Sequence, residues 1–374
     1  MQLLPLKDLA GQLSAGGTLP WSIRDAQGKL LLARGHLVAD ADMLESLLSR
    51  GMFVDMSEMK AAERRNETVN QRQTFLSRWQ AMQWRLSKTL NQPSSELQQT
   101  IDELTTALLV MIDRDADKAI FQILRHDQSR FSSYGVSHSW HAAVVSCLAA
   151  RRLGWEESKR RSLIRAALSM NISMIELQGR LACQHTPLTS EQREAIKTHP
   201  QRSAELLREL GVTDPVWCHA VEQHHETPDG KGYPGASAEV SDTALLLHFV
   251  DVFTAKLSAR ATRCALMPNQ AARELFTQHN GHPMAAVLVK EFGLYPPGCF
   301  VKLVSGEIAI AIHRGENANM PLVLALTNRN GDPLMHPVKR DTSNKEYAVA
   351  APVLDANVLI RMPWESLYSG DLLD

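Results

Sequence analysis

The sequence predicts a mainly α protein: an all-helical core with a small N-terminal α/β module and a small C-terminal β appendage. Three observations carry this. Apolar residues between about 95 and 294 recur at three- and four-residue steps, the period of a helix face. Before residue 58 a turn signal separates two short apolar runs, as in a hairpin. After Pro296-Pro297 the pattern changes to β-type runs broken by Asn328-Arg329-Asn330-Gly331-Asp332.

In order, residues 1–55 carry a short helical start, then runs at 19–24 and 29–34 separated by Asp25-Ala26-Gln27-Gly28, then a helix over 41–50. Residues 57–71 are charged and poor in large apolar groups, so they read as a linker or an exposed helix entry. Helical spacing returns over 69–90 and 95–112, where Leu97, Ile101, Leu104, Leu108 and Met111 share one stripe and Ser95 with Gln98 suits a capping box. These two segments form an antiparallel pair, with a coiled-coil dimer element as the rival reading. Helices are expected over 119–130, 139–153, 157–177, 190–210, 215–226, 243–259, 268–278 and 283–292, and strands over 300–303, 308–313 and 321–326. The implied domains are 1–58, 59–117, 118–295 and 296–374.

A chain of 374 residues with 44% hydrophobic content supports a sizeable core. Forty basic residues against forty-one acidic ones leave no excess for tracking a phosphate backbone, which excludes polymeric nucleic acid as a partner. Five dispersed cysteines without a CxxC pair fit a reduced compartment. The N-terminus lacks a signal-peptide pattern and no apolar run is long enough to span a membrane, so a cytoplasmic protein is expected.

Chemistry concentrates at His224-His225-Glu226-Thr227-Pro228-Asp229-Gly230-Lys231-Gly232-Tyr233-Pro234. Two adjacent histidines near a helix end can present imidazoles to one metal cluster, and the glycines let the next loop turn sharply. The bland alternative is a polar helix end beside a surface turn.

Together with the helical core, this segment resembles the HD-GYP family of bacterial metal-dependent phosphodiesterases that hydrolyse cyclic di-GMP. The resemblance covers residues 119–304. It implies metal ligands at His138, His199, His224, His225 and Asp251, and phosphate or ligand contacts at Arg260, Arg263 and Tyr233. The positions that match the family's His-Asp dyad hold Met170 and Asn171, Met174 stands where a lysine usually does, and Tyr134 replaces an acidic residue found in three-metal members. A neutral amide cannot bridge two cations as a carboxylate does. The resemblance therefore implies a degenerate site: no obligatory cofactor, room for one divalent ion (Zn, Fe or Mn), and weak or absent turnover. The partners it implies are cyclic di-GMP and a GGDEF-domain or other signalling protein, while a homodimer is the expectation of the coiled-coil reading of 69–90 and 95–112.

Several residues have simpler readings beside these. Met170 and Met174 read as apolar filler sharing a helix face rather than thioether ligands. His199, before Pro200, reads as lying near a helix N-cap. His141 has no assigned role, and Asp251 could merely pair with a basic neighbour. Arg260 and Arg263 read as a helix face or its end, and the run from Arg151-Arg152 to Lys159-Arg160-Arg161 as a solvated helix surface.

Overall fold

The computed structural model describes residues 3–7, 9, 19, 21–32, 41–49, 52–56, 58, 75–125, 131–235 and 239–354. These divide into two compact units, one up to Ser77 and one from Arg78. Most of the linker segment 57–71, residues 69–74 and 126–130 of two expected helices, and the C-terminal 355–374 lie outside the described residues.

In the first unit, β1 (Leu3–Pro5), β2 (Ile23–Arg24), β3 (Leu30–Leu32) and β4 (Phe53–Asp55) form an antiparallel sheet in the order β1-β4-β2-β3, with α1 (Ala41–Ser49) between β3 and β4. The hairpin forms because the Asp25 carboxylate accepts the backbone N–H groups of Gln27 and Lys29, closing an Asx-type turn. Leu6, Leu19, Trp21, Ile23, Leu47 and Val54 make its core. The helical start expected at the N-terminus is corrected over residues 3–5. They are a strand, because β4, some fifty residues downstream, supplies a pairing edge (Leu4 opposite Val54) that local pattern cannot foresee.

The second unit begins within α2 (Phe75–Asn91), at Arg78, and continues with α3 (Leu97–Arg114) and α4 (Ala116–Arg125). The expected Ser95–Gln98 capping box is absent, since Glu96 occupies the N-cap and makes no side-chain cap bond. The centre is α5 (Tyr134–Arg152), buried at every residue over 134–150. A helix enclosed on all sides needs no polar face, and α5 is packed by α3, α6 (Glu157–Ser169), α7 (Ile175–Cys183), α10 (Asp242–Leu257) and α12 (Pro283–Phe292). Around it stand α8 (Ser190–Glu209), α9 (Pro215–Gln223) and α11 (Pro268–Gln278).

One expected helix, 157–177, is broken. α6 stops at Ser169, a 3-10 turn covers Ile172–Met174, and α7 starts at Ile175. The Ser173 hydroxyl reaches the His199 carbonyl and the Ser203 hydroxyl, and Ser203 also accepts the Ser173 N–H. These ties to α8 replace the helical continuation. Met170 and Met174 consequently flank a break instead of sharing one helix face, although both are buried, as filler should be.

The chain closes with β5 (Phe300–Leu303), β6 (Ile308–His313), β7 (Leu322–Thr327), β8 (Pro333–Asp341) and β9 (Val349–Val353), antiparallel in the order β8-β7-β6-β5-β9. Alternation sorts its two faces: Ile310, Ile312, Leu324 and Leu326 pack with Phe121 of α4, while Ala309, Ala311 and Val323 turn to Tyr295 and Tyr347. Asp117 of α4 accepts from the Arg314 side chain just after β6, clamping sheet to helix.

Candidate metal centre

Two elements, α8 and the end of α9, deliver the three histidines. Pro200 lies inside α8, so His199 is a mid-helix residue and not near an N-cap as the sequence suggested. Proline at position 200 has no N–H for the carbonyl four residues back, Ile196. That carbonyl instead accepts from His199 Nδ1 at 2.6 Å. Asp214 caps α9 through Val216 and Trp217, and the Trp217 indole donates to Ser169 at the end of α6. α9 ends at Gln223, so the paired histidines follow it: His224 is the C-cap, with Nδ1 2.6 Å from the Val221 carbonyl.

Because both Nδ1 atoms donate to carbonyls, both Nε2 atoms carry lone pairs, and these face one another at 3.2 Å. Two lone pairs that close call for a proton or a cation between them. His225 joins, and the donor atoms of His199, His224 and His225 lie within 4.8 Å of one another. No other group of three or more metal-capable side chains occurs among the described residues. Three neutral imidazoles, two fixed by carbonyls behind them and the third, His225, stacked on Tyr233, are a fitting donor set for one Zn-like ion with an open position. These residues fit the group.

The electrostatics agree. Burial pushes His199 and His224 below the ordinary imidazole value, His224 well below, and neighbouring imidazoles push His224 further. Burial also takes His225 down to about 3 against the opposing pull of Asp251. All three stay neutral ligands at pH 7. Burial raises the Asp251 carboxyl, but the His138 hydrogen bond and the surrounding imidazoles outweigh it and leave the group well below the usual carboxylate range.

A pH dependence follows. Unfolded histidines take up protons below about pH 6.5 while the folded ones do not, so stability is full above that value. It falls by roughly 1.4 kcal/mol per pH unit for each such histidine until the folded group protonates. The depressed Asp251 begins to lose its contribution only below the ordinary carboxylate value of about 3.9, so it does not offset this between pH 5 and 7.5. Chelator-treated protein should unfold at clearly lower urea at pH 5 than at pH 7.5; equal midpoints would contradict the buried neutral cluster.

His138 and Asp251 form a second group: His138 Nε2 lies 2.7 Å from Asp251 Oδ1, and His225 Nε2 4.0 Å from Oδ2. Asp251 thus pairs with histidine rather than with a Lys or Arg. Asn171 is buried, and its Nδ2 finds no hydrogen-bond partner among the described residues. Tyr134 stacks on His138, nearly parallel, with centroids 5.5 Å apart. Arg260 lies over the Tyr134 ring and donates to its hydroxyl at 2.8 Å. Arg260 and Arg263 are not on a helix face: α10 ends at Leu257, and the two close a tight turn by mutual backbone bonds.

The acidic loop folds back onto the centre. Tyr233 stacks on His225 at 4.5 Å and donates its N–H to the His225 carbonyl. Gly230 takes φ +69°, and a Cβ on Gly232 would lie 2.4 Å from the His225 carbonyl oxygen, so the close approach needs glycine. Two supports were not singled out from sequence. Buried Glu226 accepts the Gly235 N–H, pinning the loop's far end, and His248 bonds the His224 carbonyl through Nδ1. A histidine three residues before Asp251 was the available signal for the second.

A helical core that gathers imidazoles and a carboxylate in this way defines the class of HD metal-dependent phosphohydrolase folds. The chain belongs to the HD domain family, whose profile matches residues 85–282. It is 25% identical over 211 residues to a cyclic di-GMP phosphodiesterase of Pseudomonas aeruginosa, covering 53% of this chain and 51% of that protein. It is 28% identical over 142 residues to 3'3'-cGAMP-specific phosphodiesterase 3 of Vibrio cholerae, covering 37% and 31%. It is also 28% identical over 166 residues to the cyclic di-GMP phosphodiesterase response regulator RpfG of Xanthomonas campestris, covering 44% and 41%. The chain thus spans about half the length, or less, of these curated relatives. Among solved structures, an HDG"Y"P protein from Bdellovibrio bacteriovorus aligns with TM-score 0.49 and 16% identity, over 76% of this chain and 96% of that one. No helix among the described residues is long and apolar enough to cross a membrane.

Proposed function

We propose that this protein is a receptor or adaptor in cyclic di-GMP signalling, with a degenerate HD-GYP site that holds one divalent ion and is no efficient hydrolase. One observation carries the reading. His199, His224 and His225 converge as a complete three-imidazole set, while the positions matching the family dyad hold buried Met170 and Asn171. The ion, Zn, Fe or Mn, would sit on that set and supply positive charge to a phosphate and to a water.

This chain's own residues do the rest. Asp251 offers one carboxylate, already engaged by His138, and Asn171 adds no negative charge, so a second cation lacks a bridging anion. With Met174 in place of a lysine, less positive charge faces a phosphate. Arg260 and Arg263 suit a phosphate, and the bond of Arg260 Nη2 to the Tyr134 hydroxyl leaves other guanidinium donors for it. Tyr233, over His225, supplies an aromatic wall. The loop over residues 230–235 is the surface proposed for a GGDEF-domain or other signalling partner, and the helix pair α2–α3, linked by the Arg85–Glu103 ion pair, the surface for a homodimer.

The specific observation for a rival reading, a slow one-metal phosphodiesterase, is the same intact triad. Calorimetry and product analysis on one metal-loaded sample separate the two. Cyclic di-GMP should bind, Arg260→Ala should weaken binding about tenfold, equivalent to ~1.4 kcal/mol, and linear product should stay at background. Brisk, metal-dependent hydrolysis would favour the enzyme; no binding heat would leave a nucleotide-free adaptor.

A further inference from the structure

A cavity of about 750 Å³ opens between the C-terminal ends of α5 and α12 and the connection from β6 to β7. It shares no residue with the histidine centre, and along α5 it lies roughly 20 Å from His138. We propose that it is a second binding site, for an organic phosphate of nucleotide size.

The charge balance is the first argument. Four cations, Arg151, Arg152, Lys290 and Arg314, line the cavity against two carboxylates, Glu291 and Glu316. Glu291 is 4% exposed and already saturated: Arg152 Nε reaches one of its oxygens at 2.5 Å, and Arg314 the other at 2.6 Å. Arg314 is fixed further by Asp117, whose carboxylate also accepts from the Arg314 backbone. A buried acid used this way does not repel an incoming anion; it holds two guanidinium groups whose remaining N–H donors are not consumed by these bonds.

Availability is the second. Lys290 is exposed and has no ion pair among the described residues, and Arg151 has only Asp113 at 3.7 Å, a weak exposed contact. Asp113, Asp117, Glu291 and Glu316 are the acids facing these cations, and only Glu316 is without a basic partner among the described residues. The helix C-termini bring partial negative charge, which the arginines offset only in part of their capacity.

Size and lining are the third. The volume falls in the ordinary range of small-molecule pockets and is far larger than inorganic phosphate needs. Half-buried Tyr295, beside Pro321 in the lining, provides a wall for a flat or apolar moiety attached to the phosphate. The run beginning at Arg151-Arg152, read from sequence as plain helix surface, thereby gains a ligand role at its start.

The test uses the full chain at low salt, titrated calorimetrically with GMP, AMP, guanosine and inorganic phosphate. Arg151 and Lys290 are altered because Arg152 ties α5 to Glu291 of α12 and Arg314 ties the sheet to α4 and α12, so that their loss would disturb packing as well as charge. His224→Ala serves as background, so that occupancy of the histidine centre cannot supply the heat. The expected result is binding of at least one monophosphate, weakened about tenfold or more by the Arg151→Glu, Lys290→Glu double variant, lost on adding salt, and absent for guanosine. Binding of no monophosphate, equal affinity for inorganic phosphate, or indifference to the double variant would overturn the proposal. Each result is distinct from failure of the cyclic di-GMP reading, which concerns Arg260.

Discussion

Replacing His224 with alanine is expected to abolish retention of divalent metal. His224 is fully buried, its Nδ1 is committed to the Val221 carbonyl, and its Nε2 faces His199 at 3.2 Å. An ion in this centre depends on all three imidazoles, because the nearest anion, Asp251, is bonded to His138 instead. Removing even an outer-shell partner of a metal ligand costs 10–100-fold in affinity, so losing a ligand should cost more than about a hundredfold. Elemental analysis after dialysis should drop from about one ion per chain to near none, and thermal stabilisation by added Zn or Mn should vanish with it. If His224→Ala keeps an ion at unit stoichiometry, the ion is held elsewhere and the histidine centre is structural.

The second large effect runs the other way. Restoring the dyad, Met170→His with Asn171→Asp, should admit a second ion and raise cyclic di-GMP hydrolysis by about 10²–10³-fold, or about 2.7–4 kcal/mol of transition-state stabilisation. The sign comes from burial. A carboxylate at the 2%-exposed position 171 is unfavourable without a counter-cation, so Asn171→Asp alone should destabilise metal-free protein and be rescued by metal. Adding Met174→Lys should help further by returning a positive group. The checks are metal stoichiometry, chemical denaturation with and without metal, and chromatography of the nucleotide product. Unchanged hydrolysis in a variant that does bind two ions would mean that the dyad residues are not what limits this site.

Much of both results was legible in the residues themselves. The histidine pair with its glycine-bearing loop, the His199-Pro200 step and Asp251 could be listed from the sequence, and the structure brings three of these histidines together and sets His138 on Asp251. Helices at Pro268–Gln278 and Pro283–Phe292, and strands at Phe300–Leu303 and Ile308–His313, fall where apolar period and proline punctuation place them. Less legible were features with nonlocal causes. The helix expected through 177 stops at Ser169 because Ser173 bonds to α8, and Arg260 is occupied because Tyr134, 126 residues away, offers its ring and hydroxyl.

By itself, then, the sequence determined the class of fold, the span of most helices, and which side chains could ligate an ion, since side-chain chemistry and the 3.6- and two-residue periods act over a few neighbouring residues. Only the tertiary structure decided how those groups are held. It places Pro200 inside a helix, which frees a carbonyl to orient His199. It joins Arg152 to Glu291 across 139 residues, in the lining of a cavity at the far end of the central helix. Burial and chain closure bring such partners together, and neither leaves a mark within a short window of sequence.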